Sequence, residues 1–169
     1  MLRFASLGSE WRMWIESSDF PVAFQIPAAW VLDRSYEKEG VITAVAPRGL
    51  SAKFSANVVA VAERRRGLAL QGPGMSGILD EEREKEPQFL RDIEEYRLIF
   101  LGKSSLGEEP SVKRLAFHYK NDLPITFQQY IAPYGAATVS ITFSYPAMEA
   151  PLWQPRIESS MAEAVWSGE

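Results

Sequence analysis

Val139, Ile141, Phe143 and Tyr145 alternate with Thr138, Ser140, Thr142 and Ser144. A period of two marks a half-buried strand, with one apolar face and one face of small hydroxyls. The preceding run, Ile125 to Ala132, reaches it through Pro133-Tyr134-Gly135, which reads as a tight turn. Two such runs predict an antiparallel sheet with one wet face. Upstream, Val112 to Tyr119 sets Leu115, Phe117 and Tyr119 on one side and Arg114, Ala116 and His118 on the other. Asn121-Asp122 is the turn that follows it, and Leu98 to Lys103 is the strand before it, with Gly107 to Pro110 between the two. These four strands make a meander.

The first half of the chain carries shorter strands. Pro21 to Pro27 places Val22, Phe24 and Ile26 on one face and is bounded by prolines, which suits an edge or a strand start. Val41 to Ala46 is a second strand, and Asn57 to Glu63 a third. The third is almost wholly apolar, which predicts a central place in the sheet. Met75 to Glu86 is rich in helix formers, with Ser76 at its start. Pro87 either breaks that helix or opens a second one, whose Phe89, Leu90, Ile93 and Tyr96 form a core-facing stripe. The mixed charges from Asp80 to Glu86 read as a solvated helix face. Pro146 to Ser167 is helical in character, with Leu152, Ile157, Met161, Val165 and Trp166 as its apolar positions. At the N-terminus Phe4, Leu7, Trp11, Trp14 and Ile15 recur at helical spacing, but Gly8-Ser9 interrupts them. The expectation is an extension over residues 1–18, with a short helix from about Ser9, followed by one domain over residues 19–169.

Strands, a helical middle, a meander and a closing helix predict an α+β fold. We expect a single antiparallel sheet of about six to seven strands with helices packed on it. At 169 residues the chain is one domain long. A chain of that length buries about 70% of its unfolded surface and needs no staple.

Composition narrows the chemistry. The net charge is −4, and Arg64-Arg65-Arg66 is the sole basic block, so nucleic acid is not an expected partner. There are no cysteines, which excludes disulfides, thiol catalysis and Cys-ligated zinc. No stretch reaches the roughly 20 apolar residues of a membrane helix, and MLRFASLGSEWRMW lacks the apolar core of a secretory signal. A cytoplasmic location is the expectation that follows. His118 is the single histidine, so neither a multi-histidine metal site nor a histidine-centred catalytic group is indicated. No nucleophile elbow or phosphate loop is present. The carboxylates Asp80 and Glu84, one helical turn apart, look solvated rather than pocketed. The chain is therefore expected to need no cofactor and to be no enzyme.

Several segments resemble PsbP-like domains, the group that includes the LpqN and DcrB lipoproteins. FPVAFQIPAAW, from Phe20 to Trp30, resembles their entry of apolar strand, proline and tryptophan. Phe54 to Val61, FSANVVAV, is similar to their element of asparagine followed by an apolar strand. The meander with Gln128-Gln129 and the Tyr134-Gly135 turn is similar to their late strands, and Trp166 sits where a last aromatic packs on the sheet. The resemblance spans about residues 20–167. The chain departs from the exported members in lacking a lipobox cysteine, and it carries Glu108-Glu109-Pro110 where a Gly-x-Pro-Ala-like turn is common. The resemblance implies a PsbP-like sandwich and a binding or assembly role.

The candidate partner surface is the wet side of the meander: Arg114, His118, Thr126, Gln128, Tyr130, Thr138, Ser140, Thr142 and Ser144. Hydroxyls and amides with an aromatic anchor suit a protein or peptide partner. Trp11 and Trp14 form a second candidate, either covering an edge of their own domain or making a partner or homodimer contact. The leading expectation is a non-enzymatic binding or accessory protein. A secretion chaperone that shields apolar segments of an exported effector is the first alternative, and a small-ligand binder or enzyme the second.

Overall fold

The computed structural model describes residues 11–48, 53–64 and 75–167. Within them, ten strands and two α-helices follow in order. The strands are β1 (Trp11–Ile15), β2 (Val22–Pro27), β3 (Val31–Asp33), β4 (Val41–Val45), β5 (Asn57–Arg64), β6 (Arg97–Leu106), β7 (Glu109–Lys120), β8 (Leu123–Tyr134), β9 (Ala137–Pro146) and β10 (Val165–Trp166). Helix α1 (Met75–Asp92) lies between β5 and β6, and α2 (Ala150–Ala162) between β9 and β10. Phe4, Leu7, Arg65, Arg66 and the Gln71–Gly74 loop lie outside the described residues.

Seven strands form one antiparallel sheet in the order β3-β4-β5-β9-β8-β7-β6. β5 is interior, as its unbroken apolar run predicts. The β7–β8 hairpin turns on Asn121 and Asp122, both at positive φ (51° and 60°). That is the conformation a two-residue turn needs to match strand twist, and Asn and Asp tolerate it.

A second, three-stranded sheet, β1-β2-β10, was not expected. It corrects two readings. Trp11–Ile15 is a strand paired with β2, not part of a short helix. Ile15 and Trp11 share an aromatic and aliphatic layer with β2, and that long-range packing outweighs local helical spacing. Likewise Val165 and Trp166 do not extend the last helix. They pair with Ala23 and Val22, and the Trp166 indole N–H donates to the Leu106 carbonyl at 2.7 Å.

The core lies between the large sheet on one side and the small sheet with α2 on the other. Val58, Ala60, Val139, Ile141, Phe143 and Tyr145 meet Ile15, Phe24, Trp30, Ile157 and Met161 there. Phe143 is fully buried, with ring centroids 6.1 Å from Trp11, 6.3 Å from Phe24 and 6.4 Å from Trp30. This is the core face of the sheet.

The opposite face carries α1, which packs over β6, β7 and β8. Its apolar contact is small: Ile78 and Leu79 against Val112 and Ile131. α1 runs through Pro87 as one helix, so the predicted break is absent. Leu, Glu, Lys, Arg and Gln dominate its sequence and sustain it. Leu90 is exposed, contrary to the predicted apolar stripe, while the Phe89 and Tyr96 rings pack in a tilted arrangement with centroids 5.5 Å apart.

Candidate functional site

Side chains on the α1 side of the sheet line up in rows across the strands. One row runs Arg114, Gln129, Thr142, Val59, Thr43. The next runs Val112, Ile131, Ser140, Val61, Val41. α1 covers the β6–β8 end of both rows. At the other end Thr43, Val59, Val61, Ser140 and Thr142 keep partial exposure. The hydroxyl face is thus half roofed and half open, with α1 as a wall between the halves.

Charge holds that wall in place. Arg114 is fully buried and hydrogen-bonded on three sides. Its Nη1 donates to Glu82 Oε2 at 2.7 Å and to Gln129 Oε1 at 2.9 Å. Its Nη2 donates to the Glu82 backbone carbonyl at 3.0 Å, and its Nε to Glu86 Oε1 at 3.0 Å. The Phe89 ring lies under the guanidinium at 4.6 Å. Planar, multidentate Arg is suited to such a place, because each fork donor can find a partner. Lys85 pairs with Glu82 from the solvent side. The Tyr96 hydroxyl donates to Glu86 Oε2 at 2.9 Å. Burial pushes the Tyr96 phenol well above the usual tyrosine range, and the Glu86 carboxylate pushes it the same way.

The network continues under the wall. Gln129 Nε2 donates to Thr142 Oγ1 at 3.1 Å. Glu82, Arg114, Gln129 and Thr142 therefore form one hydrogen-bonded line from the helix to the open floor. A pocket of about 150 Å³ opens along it, lined among others by Lys85, Phe89, Ile131, Ser140 and Val61. Among the described residues no group of three or more Asp, Glu or His side chains gathers as metal ligands would, and no helix is long and apolar enough to cross a membrane.

The residues expected on the wet face divide. Arg114, Thr138, Ser140 and Thr142 do share one face, and Arg114, Thr138 and Ser140 line the pocket. Ser144 lies in the same alternation. His118 lies farther along β7, its ring 6.1 Å from Phe127. Thr126, Gln128 and Tyr130 are on the other face, which is a correction. Their partners on β9 are Tyr145, Phe143 and Ile141, all core residues. Gln128 is fully buried and Tyr130 nearly so, and both are satisfied there. Gln128 Nε2 donates to the Tyr130 hydroxyl at 3.0 Å, and the Tyr145 hydroxyl donates to Gln128 Oε1 at 3.3 Å. In β8 the apolar positions Ile125, Phe127 and Ile131 face the α1 side, so the apolar alternation tracks the helix rather than the main core. Arg114 itself is corrected in one respect: it is no exposed contact but the buried centre of the Arg114–Glu82–Glu86 ion-pair latch that holds α1 on the sheet. Trp11 is half-buried against Phe143, whereas Trp14 stays partly exposed on β1.

Glu82, Glu86 and Gln129 join the site without a signal in the hydrophobic pattern. The mixed-charge run predicts a solvated face, but Glu82 and Glu86 are one turn apart and fall on the sheet-facing side. On its own face of β7 Arg114 lies between Val112 and Ala116, and an arginine with apolar same-face neighbours is the signal that points to an acid packed against it.

This architecture is the PsbP-like α+β fold. LpqN of Mycobacterium tuberculosis, described as involved in cell envelope biogenesis, superposes with a TM-score of 0.63 at 12% identity over 87% of this chain and 83% of its own. Cyanobacterial PsbP from Synechocystis gives 0.63 at 7% identity over 96% of each chain. The Ran-binding protein Mog1p of Saccharomyces cerevisiae gives 0.55 at 9% identity, over 93% of this chain and 96% of its own. At these identities the likeness is one of fold. No family model and no curated protein matches the chain.

Proposed function

We propose that this chain is a non-catalytic binding or accessory protein, and that the open half of its hydroxyl face seats a segment of a protein partner. The observation that carries this reading is the half-roofed floor: Val59, Val61, Thr43, Ser140 and Thr142 lie partly exposed beside a helix wall. Valines alternating with small hydroxyls give an apolar surface with hydrogen-bonding points and no fixed charge. Such a surface fits an apolar or amphipathic segment, which it would shield from water. The chaperone reading is the narrower form of the same idea. That Mog1p is a Ran-binding protein supports a protein partner as the kind of ligand this fold accepts.

Photo-crosslinking in native cells tests the surface. A crosslinker placed at Val59 is expected to capture a partner, and one at Leu152 on α2 is not. Val59→Lys, at a partly exposed position, is expected to abolish capture while leaving the circular dichroism unchanged. Capture from Leu152 alone, or capture indifferent to Val59→Lys, would overturn the reading.

A further inference from the structure

The pocket between α1 and the open floor has a size, a wall and a charge balance of its own. Its volume of about 150 Å³ is that of a cavity that takes one benzene-sized ring. Val61, Ile131 and the Phe89 ring supply apolar wall. The latch balances its own charge: Glu82 and Glu86 carry two negative charges, and Arg114 and Lys85 answer them with two positive ones. Glu63 and Ser140 also line the pocket, and neither has a side-chain partner among the described residues. A carboxylate and a hydroxyl both accept hydrogen bonds, so the pocket holds two free acceptors. A cation drawn to Glu63 would come beside the Lys85 ammonium, and an anion drawn to Lys85 would come beside Glu63. An uncharged donor meets neither opposition.

We propose that this pocket takes an aromatic side chain with a hydrogen-bond donor on its ring, tryptophan or tyrosine, from the partner segment seated on the floor. This rests on the reading of the floor as a partner's seat. Val61 and Ser140 belong to both floor and pocket, and Ile131 stands next to Ser140 on the neighbouring strand, about 4.8 Å away. One side chain of a segment on the floor spans that step. The ring packs on Val61, Ile131 and Phe89, and its N–H or O–H donates to Glu63 or Ser140. Such rings join a large apolar area to a polar edge, and they are favoured anchors where an interface has a pocket.

Titration of the full chain with indole, p-cresol, toluene and benzylammonium, followed by nuclear magnetic resonance, tests the pocket without the partner. Indole and p-cresol are expected to shift the Val61 and Ile131 methyl signals. They are expected to bind about tenfold more tightly than toluene, which fills the same space but donates nothing. Glu63→Ala combined with Ser140→Ala is expected to remove that preference and leave toluene binding unchanged. Ser140→Phe, at a partly exposed position, is expected to exclude every probe with the circular dichroism unchanged. In native-cell extract, indole is expected to block capture by the crosslinker at Val59. No shift at the solubility limit of indole, toluene bound as tightly as indole, or benzylammonium bound more tightly overturns the proposal and leaves the floor reading standing. So does capture at Val59 that is indifferent to bound indole. Probe binding with no capture at Val59 overturns the floor reading, and with it the partner assigned to the pocket.

Discussion

On the core face of the sheet, Phe143 meets three aromatic rings from two other strands and the segment after β2, and the neighbouring positions are filled by Ile, Val and Ala. On the α1 face, a small cluster of Ile78, Leu79, Val112 and Ile131 with Leu101, the Phe89 ring and one buried arginine hold an 18-residue helix. Both faces are attached to covering elements, but by different forces. Apolar packing is non-directional and scales with area, so many residues share it. A buried ion-pair latch is directional, and its stability depends on a few atoms being in place. One cover rests on apolar area shared among many residues, and the other is conditional on a few polar contacts staying in place. The conditional cover is the one that borders the open floor.

Truncation on the core face should have the largest effect. Phe143→Ala removes a side chain that no part of which reaches solvent. The expected loss is about 3–5 kcal/mol, the range for deleting a buried aromatic ring. Urea denaturation followed by circular dichroism reads it. A loss under about 1 kcal/mol would mean that this face collapses easily around a void, and the contrast between the faces would fail.

Breaking the latch comes next. Arg114→Met keeps the volume but leaves the buried Glu82 and the half-buried Glu86 without that cation. The expected cost is about 3 kcal/mol, at the low end for a broken buried pair because Lys85 still faces Glu82. The two faces should then respond differently in hydrogen exchange. Amides of α1 are expected to lose protection ahead of those of β5 and β9, since local opening draws on the least packed element. Uniform loss of protection would show that α1 and the core unfold as one unit.

The same contrast explains what the sequence displayed and what it hid. β9 was legible because its core face is wholly apolar and its other face wholly hydroxyl, so period two is unmistakable. β5 was legible because both of its faces are apolar at their centre, Val58, Ala60 and Ala62 on one and Val59 and Val61 on the other. β8 misled because each of its faces is mixed: Gln128 and Tyr130 point into the core, where Tyr145 donates to Gln128 and Gln128 donates to Tyr130. Period alone cannot say which half of a mixed strand is inside; that depends on pairing with β9 and on the helix above. Trp166 pairs with Val22 and Trp11 packs on Phe143, partners remote in sequence in both cases, so local spacing favoured helix at both. Of the candidate site, the row of small hydroxyls was visible from the start. The latch was not, because Glu82 and Arg114 come together only when α1 folds back over β7.

The smallest effect, and the finest test of the contrast, lies at alkaline pH. Tyr96 belongs to the latch and Tyr145 to the core face. Both phenols are held well above the ordinary value of 10.0: Tyr96 by burial and then by Glu86, Tyr145 by burial and then by Glu158 and Tyr130. A raised folded-state pKa means that the unfolded chain releases its proton first. The stabilisation is therefore complete below pH 10 and declines as pH rises from there toward the folded values. Unfolding midpoints at neutral pH should be unaffected by these ionisations and should fall above pH 10. Tyr145→Phe should flatten that fall. Tyr96→Phe should flatten it less, because a conditional cover can open locally and let Tyr96 ionise at an ordinary pH while the core stays shut. Tyrosinate absorbance across the same range separates the two cases. A phenol that is lost from the early-titrating class in Tyr96→Phe, but not in Tyr145→Phe, places the weak point of the molecule at the latch. Equal behaviour of the two variants would make α1 as firm a cover as the aromatic core.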